Sequence, residues 1–262
     1  MFPRIFREST LVILSGSVRG GEKTWESLYR NLIDVYKADI ALAVGESEDK
    51  SSSLYTKAKY VWELKEYGDD WSTYYIENGL HVSINAIIKE CAAHNGFAAP
   101  LPGRKGSGLL VQAFKHFVVN NYLPILEKYD RVVWSRTDQY YFKPHPILSL
   151  NHLWIPEGQD WGGVCDRFAM FPSKESKRFL SVLETIENNP NLIEKYTNSE
   201  SLMLSHLRKN GLSKSIKRYN RVQATVCVDS DKSRWIGPAD WVAHPQHSDL
   251  KLKYPEEYFD NI

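Results

Sequence analysis

Arg136 and Asp138 stand two residues apart at the end of the stretch Tyr129-Asp130-Arg131-Val132-Val133-Trp134-Ser135-Arg136-Thr137-Asp138-Gln139. The apolar run Val132-Val133-Trp134 is too short for a helix and rich in β-formers, so it reads as a strand buried in a sheet. In open α/β sheets, ligands sit at the carboxyl ends of strands. A cation beside a carboxylate at such an end suits an anionic ligand held partly by a metal ion. A surface ion pair that closes a strand is the plainer alternative.

Two further stretches carry chemistry-bearing side chains. Ser15-Gly16-Ser17-Val18-Arg19-Gly20-Gly21 follows the apolar run Thr10–Leu14, and strand, Gly-rich turn and helix together make a nucleotide-binding opening. Its glycines let backbone approach a ligand closely, and Arg19 adds charge. It matches neither the dinucleotide fingerprint nor the P-loop, and a tight β–α turn is the alternative. The segment Pro156–Arg167 holds Glu157, Asp160 and Asp166 around Trp161, with Gly158, Gly162 and Gly163. A sugar stacks its C–H face on Trp and offers hydroxyls to acids, so this composition suits a carbohydrate site. A solvated loop, with Asp166 and Arg167 as surface charges, is the alternative.

Weaker signals lie elsewhere. Arg104 and Lys105 sit in a Pro- and Gly-rich break between Asn95 and Gly108, which is either a linker or a basic loop that closes on a phosphate. Asp229-Ser230-Asp231 has the better spacing for a pair of hard oxygen ligands and rivals Asp138, although acidic pairs are common in turns. His244 and His247 lie in the tail, where packing or surface roles compete with metal binding. Asn198-Ser199-Glu200 reads as an N-cap region, with Glu200 favouring the helix dipole.

The elements that must position these residues are set by periodicity. A helix over about Lys23–Tyr36 and a strand over Ile40–Val44 complete a β–α–β unit, which points to a parallel sheet. Gly45–Ser53 is a polar loop, Tyr55–Glu66 is helix-prone, and Gly68-Asp69-Asp70 is a turn whose acids cap the next helix. Helices are expected over His81–Ala93, with Val82, Ile84, Ile87, Ile88 and Cys91 as an apolar side, and over Leu109–Lys128. In the latter, Leu110, Ala113, Phe114, Phe117 and Val118 form one stripe and Pro124 kinks or divides the helix. Later come short strands at Leu153-Trp154-Ile155 and Phe168–Phe171. Helices over Ser173–Glu187 and Ser199–Asn210 and a last core strand, Val222–Val228, complete the set. The tail from Gly237 has little periodicity and is placed to wrap across the domain and supply a ligand. With parallel strands, Gly16 and Asp138 face one crevice.

Totals narrow the function classes. At 262 residues the chain suits one large α/β domain or two small ones. Lys+Arg 33 against Asp+Glu 32 leaves +1, so no overall field attracts nucleic acid or anionic membrane, and any anion site must be local. Three widely spaced cysteines argue against a disulfide framework and a Cys-rich zinc site. Nothing approaches the roughly 18 apolar residues of a membrane span. Leu11–Leu14, after Arg4 and Arg7, is too short for a signal core. A soluble cytoplasmic protein is expected.

Taken in order, Ser15–Arg19, Tyr129–Asp138 and Trp161-Gly162-Gly163 through Asp166-Arg167-Phe168 resemble the nucleotide-sugar-dependent glycosyltransferases of GT-A type. The likeness is to the small ones of large algal DNA viruses such as the chloroviruses, and it spans roughly residues 10 to 210. It implies a single GT-A-like α/β domain, a mostly parallel twisted sheet flanked by helices. The nucleotide-binding part would be about 8–140, the acceptor side about 141–236 and the tail 237–262. It also implies a UDP-sugar donor near Ser15, Gly16, Ser17, Arg19, Lys105, Arg136 and Asp138. Mn²⁺ (or Mg²⁺) would be held by Asp138 with Gln139 and His244, since Arg136 replaces the first acid of the family's Asp-x-Asp. Asp166 is the expected base of an inverting transfer, with Asp160 and Glu157 in reserve. Trp161, Gly162, Gly163 and Arg167 would meet a glycan or glycoprotein acceptor. Viral kinship implies a capsid glycan, UDP-xylose or UDP-glucose as donor, and the host cytoplasm. The rivals are a sugar-phosphate nucleotidyltransferase and a non-catalytic carbohydrate-binding protein.

Overall fold

The structure, a computed structural model, describes residues 8–46, 48–91, 96–195, 197–231 and 241–262. Arg4 and Arg7, the end of the helix expected at Ala93, Asn95 at the start of the break and the start of the tail at Gly237 lie outside the described residues.

The unbroken apolar runs form strands buried on both faces. β1 (Thr10–Ser15) and β2 (Asp39–Gly45) are paired in parallel, and between them α1 (Gly21–Leu28) continues through a π-helical turn, Tyr29–Ile33, into α2 (Asp34–Tyr36). The stretch expected as a helix over Tyr55–Glu66 differs. α3 (Ser53–Lys57) is a single turn, and β3 (Tyr60–Leu64) lies beside β2. Trp62 and Leu64 are buried while Val61 and Glu63 are exposed, which is the period-two pattern of a half-solvated edge strand.

α4 (Ser72–Glu77), α5 (His81–Glu90) and α6 (Gly108–Leu126) come next. The N-cap of α4 is Trp71, which makes no side-chain cap bond; Asp70, one residue earlier, accepts from Ser72 N at 3.1 Å as part of the turn. On α5, Ile84, Ile87 and Cys91 are buried, whereas Val82 and Ile88 are exposed, so its apolar side is narrower than expected. Pro124 sits inside α6 without dividing it. The chain then gives β4 (Arg131–Arg136), β5 (Gln139–Tyr141), β6 (Leu153–Pro156), β7 (Ala169–Pro172), α7 (Ser176–Leu180), α8 (Val182–Asn188) and α9 (Ser199–Lys209). It closes with β8 (Ile216–Tyr219), β9 (Gln223–Cys227), the hairpin β10 (Val242–His244) and β11 (His247–Leu252), and α10 (Glu256–Phe259).

This is an α/β protein whose main sheet has seven strands in the order β3-β2-β1-β4-β7-β6-β8. The first four are mutually parallel, β7 runs antiparallel between β4 and β6, and β8 is parallel to β6. Alternation along β1 sends Leu11 and Ile13 into one apolar layer, with α6, α8 and α9, and Val12 and Leu14 into the other, with α1. A second, antiparallel sheet, β10-β11-β9-β5, takes the strand expected over Val222–Val228. An apolar run reports burial, not which sheet it joins. Ser15 on β1 pairs directly with Arg136 on β4, so the two chemistry-bearing turns leave the sheet side by side.

Candidate functional site

The turn after β1 is tied to the turn after β4 by short-range bonds. Gly16 adopts φ +98, a conformation that L side chains rarely take. Thr137 Oγ1 donates to the Ser17 carbonyl at 2.6 Å and accepts from Arg19 N at 3.1 Å. The Trp25 indole N–H lies 3.1 Å from both the Arg19 and the Thr137 carbonyls. Asp231 accepts from Gly20 N at 3.0 Å and from Val228 N at 2.9 Å, and Asp229 pairs with Lys251. Within the rival Asp-x-Asp, Asp231 therefore holds the turn after β1, while Asp229 pairs with a lysine of β11.

Asp138 is 3% exposed and gripped by cations. Arg136 donates Nε to Oδ1 at 2.8 Å and Nη2 to Oδ2, while Arg19 Nη2 reaches Oδ2 at 3.0 Å. Burial alone would raise the Asp138 pKa, but the Arg136 and Arg19 charges outweigh it and bring it down to about 2. Arg167, buried, donates to Glu257 Oε1 at 3.0 Å, and its guanidinium lies 4.5 Å from the Tyr254 ring centre. Glu257 also meets Arg221 at 3.1 Å and accepts from Thr225 N at 2.7 Å. Lys253, just past β11, enters the same region. Burial, then Arg136, lower its pKa to about 8. The buried Nε atoms of Arg19 and Arg167 have no hydrogen-bond partner among the described residues. Arg19, Arg136, Arg167 and Lys253 thus crowd around Asp138 and Glu257, and an incoming polyanion would relieve their repulsion.

Arg136, Arg167 and Lys253 border a cleft of about 450 Å³, with Trp161, Asp166 and Glu200 among the rest of its lining. A narrow extension of about 70 Å³ shares Arg136, Asp166 and Arg167 and reaches Ser15, Gly16, Ser17 and Arg19. On the far side of the turn, Ser17 and Arg19 also border a cleft of about 860 Å³ with Trp25, Glu22, Glu48 and Asp231. One wall of the first cleft depends on close backbone packing. A side chain at Gly108 would strike the Phe97 backbone, and one at Gly106 the Gly96 backbone.

The loop between β6 and β7 delivers the carboxylates. Gly163 lies so close to the start of α9 that a Cβ there would overlap the Glu200 carbonyl, and Val164 N donates to that carbonyl at 3.2 Å. Asn198 caps α9 by accepting from Ser201 N at 2.8 Å, and its Nδ2 donates to the Trp161 carbonyl at 2.9 Å. This docking sets Asp166 and Glu200 into one cleft. Burial first, then the Asp166 charge, raises the Glu200 pKa to about 7, against the opposing charges of Arg167 and Lys115. Lys115, on α6, is 0% exposed, and its ammonium lies 3.7 Å from the Met203 sulfur.

The structure therefore brings together Ser15, Gly16, Ser17, Arg19, Arg136, Asp138, Trp161, Asp166 and Arg167, with Gly162 and Gly163 shaping the loop. Other expected residues stand apart. Asp160 accepts from Cys165 N at 2.9 Å and pairs with Arg218, so it braces the loop. Glu157 is exposed, and its carbonyl accepts from Arg221 at 3.0 Å. Lys105 is exposed and lines none of the three clefts.

The expected metal ligands Asp138, Gln139 and His244 have different surroundings. Gln139 is buried and its amide donates to Thr225 at 2.9 Å, while His244 packs its ring against Tyr140 at 4.7 Å and Tyr258 at 4.8 Å. Burial, then His247, lowers the His244 pKa to about 4. Asp138 is occupied by two guanidinium groups, which compete with a divalent cation for its oxygens, whereas the buried Gln139 Oε1 and His244 Nε2 have no hydrogen-bond partner among the described residues. Among the described residues, no group of three or more His, Cys, Asp or Glu is placed to hold one. Cys91, Cys165 and Cys227 are free and buried. No helix among the described residues is long and apolar enough to cross a membrane.

Glu200, Lys115, Lys253 and Tyr254 are site residues that sequence reasoning misses. Glu200 carries the signature of a helix start, which hides any second role. Lys115 falls outside the apolar stripe of α6, where a lysine reads as a solvated side chain. Lys253 and Tyr254 follow β11, in a tail whose sequence shows little periodicity. Comparison with models of known protein families and with curated proteins finds no match to this chain.

Proposed function

We propose that this protein is a GT-A-type glycosyltransferase that moves one sugar from a UDP-sugar to a glycan or glycoprotein acceptor. The observation that carries this reading is a pair of adjoining clefts: Arg136, Arg167, Lys253, Asp166 and Glu200 border one, and the glycine turn borders the other together with Arg136, Asp166 and Arg167. A diphosphate needs cationic N–H donors, and Arg19, Arg136, Arg167 and Lys253 supply them. The uncharged nucleoside fits the larger cleft beyond the turn, whose carboxylates accept from ribose hydroxyls. The sugar then points towards Asp166, Glu200 and the exposed face of Trp161, which suits the C–H side of an acceptor ring.

In an inverting transfer the acceptor oxygen attacks the anomeric carbon, and the bond from that carbon to the phosphate oxygen breaks. The bonding pair leaves with UDP, and the acceptor proton passes to a cleft carboxylate. The cation cluster stabilises the charge that develops on the leaving oxygen. Asp138 holds Arg19 and Arg136 in place for that task, in place of the metal-ligand role that the resemblance implies for it.

The test is release of UDP from a panel of UDP-sugars, with and without oligosaccharide acceptors. Turnover is expected for at least one donor, and Asp138→Asn is expected to lower it about 100-fold by releasing its two arginines. No turnover, with glycan binding retained, would instead support a carbohydrate-binding protein. Pyrophosphate release from UTP and a sugar phosphate would support the nucleotidyltransferase.

A further inference from the structure

We propose that Glu200 is the catalytic residue that takes the acceptor proton, with Asp166 and the buried Lys115 as the positioning residues that set its basicity. This rests on the transferase reading above and assigns a role within it.

The geometry comes from three elements. Gly163 allows the β6–β7 loop to touch the backbone of Glu200, which no residue with a side chain permits without displacement. That contact places Asp166 and Glu200 on the same cleft as Trp161 and the cations. From beneath, α6 presents Lys115, fully buried, with a thioether sulfur as the partner of its ammonium. Burial lowers the Lys115 pKa, and the charges of Asp166 and Glu200 oppose that fall. Glu200 also faces Arg167 from the loop and Tyr254 from the tail, with Arg136 and Lys253 on the same cleft.

A general base works best when its pKa lies near the operating pH. Asp166 opposes ionisation of Glu200, and Lys115 favours it. During transfer the hydroxyl proton moves to the Glu200 carboxylate as the new glycosidic bond forms and the bond to UDP breaks. Protonated Glu200 then returns its proton to solvent. No oxidant, reductant or further reactant enters.

The experiment is the pH dependence of UDP release from an active UDP-sugar donor, using the full chain. Wild type, Glu200→Gln, Asp166→Asn and Lys115→Met are compared, and UDP binding of each is measured by calorimetry. Wild-type turnover is expected to fall tenfold per pH unit below about 7, as Glu200 takes up its proton. Glu200→Gln should bind UDP normally, lose about 100-fold or more in turnover and lose that acid limb. Asp166→Asn should move the limb to lower pH and Lys115→Met should move it to higher pH, because the first removes a like charge and the second an opposite one. Opposite displacements would not arise from two variants that merely loosen the fold. An unchanged limb in Glu200→Gln, or shifts of the same sign in the other two, would overturn the role of Glu200 while leaving the transferase intact. A wild type that binds UDP but turns over no donor would overturn both.

Discussion

At the scale of single residues, charge arrangement distinguishes the two carboxylates that matter most. Asp138 is held ionised by Arg136 and Arg19, so it serves as an anchor and not as a proton carrier. Glu200 is the reverse: burial and Asp166 lift its pKa to about 7, well above the ordinary 4.5. That difference sets the sign of the stability effect. A carboxyl whose folded-state pKa is raised adds stability that is complete below about pH 4.5, fades as pH rises and is gone above about 7. Glu200→Gln is therefore expected to raise Tm above pH 7 and to leave it nearly unchanged below pH 4.5. Thermal melts across that range check this, and a Tm lowered equally at all pH values would count against the buried-pair account. In the sequence the anchor is visible as Arg-x-Asp, but its role is not. A two-residue spacing cannot say whether a carboxylate faces a metal or its own neighbour.

At the scale of elements, the β6–β7 loop and the start of α9 act as one unit. Gly163 removes the side chain that would separate them, and Asn198 links its own helix to the Trp161 carbonyl. Gly163→Ala is expected to cost about 1–3 kcal/mol through overpacking. It should also reduce sugar transfer while UDP binding persists, since Arg19, Arg136 and Lys253 of the cation cluster lie on other elements. Calorimetry and UDP release on the same sample separate these effects, and equal loss of both would contradict that division. Much of this level is legible in the sequence. The Gly-Gly-x-x-Asp-Arg loop, the Asn198 cap and the strands flanking both turns can be read from local composition. The stretch 55–66 cannot, because Tyr60, Val61 and Trp62 are tolerated in helices and the strand is only five residues long. Glu200 as a cleft residue is hidden because helix-start chemistry already accounts for an acid there.

At the scale of the molecule, parallel pairing of β1 with β4 aligns two distant turns, and the second sheet brings the tail back to them. Through β11 and α10 the tail contributes Lys253, Tyr254 and Glu257, the last joining Arg167 and Arg221. With a net charge of +1, this cation cluster is a local feature and not a consequence of overall charge. The parallel pairing that sets the two turns side by side is foreseeable from strand order, but Asp138 is buried and lines none of the three clefts. The tail's contribution is not, because its pairing with β9 is long-range and leaves no mark in local periodicity.

The central claim is that these cations receive a nucleoside diphosphate, and calorimetry with UDP tests it most directly, in Mn²⁺ and again with a chelator. Binding is expected in both conditions, weaker at high salt and weakened at least about tenfold by Lys253→Met. No heat of binding at millimolar UDP in either condition would contradict the account.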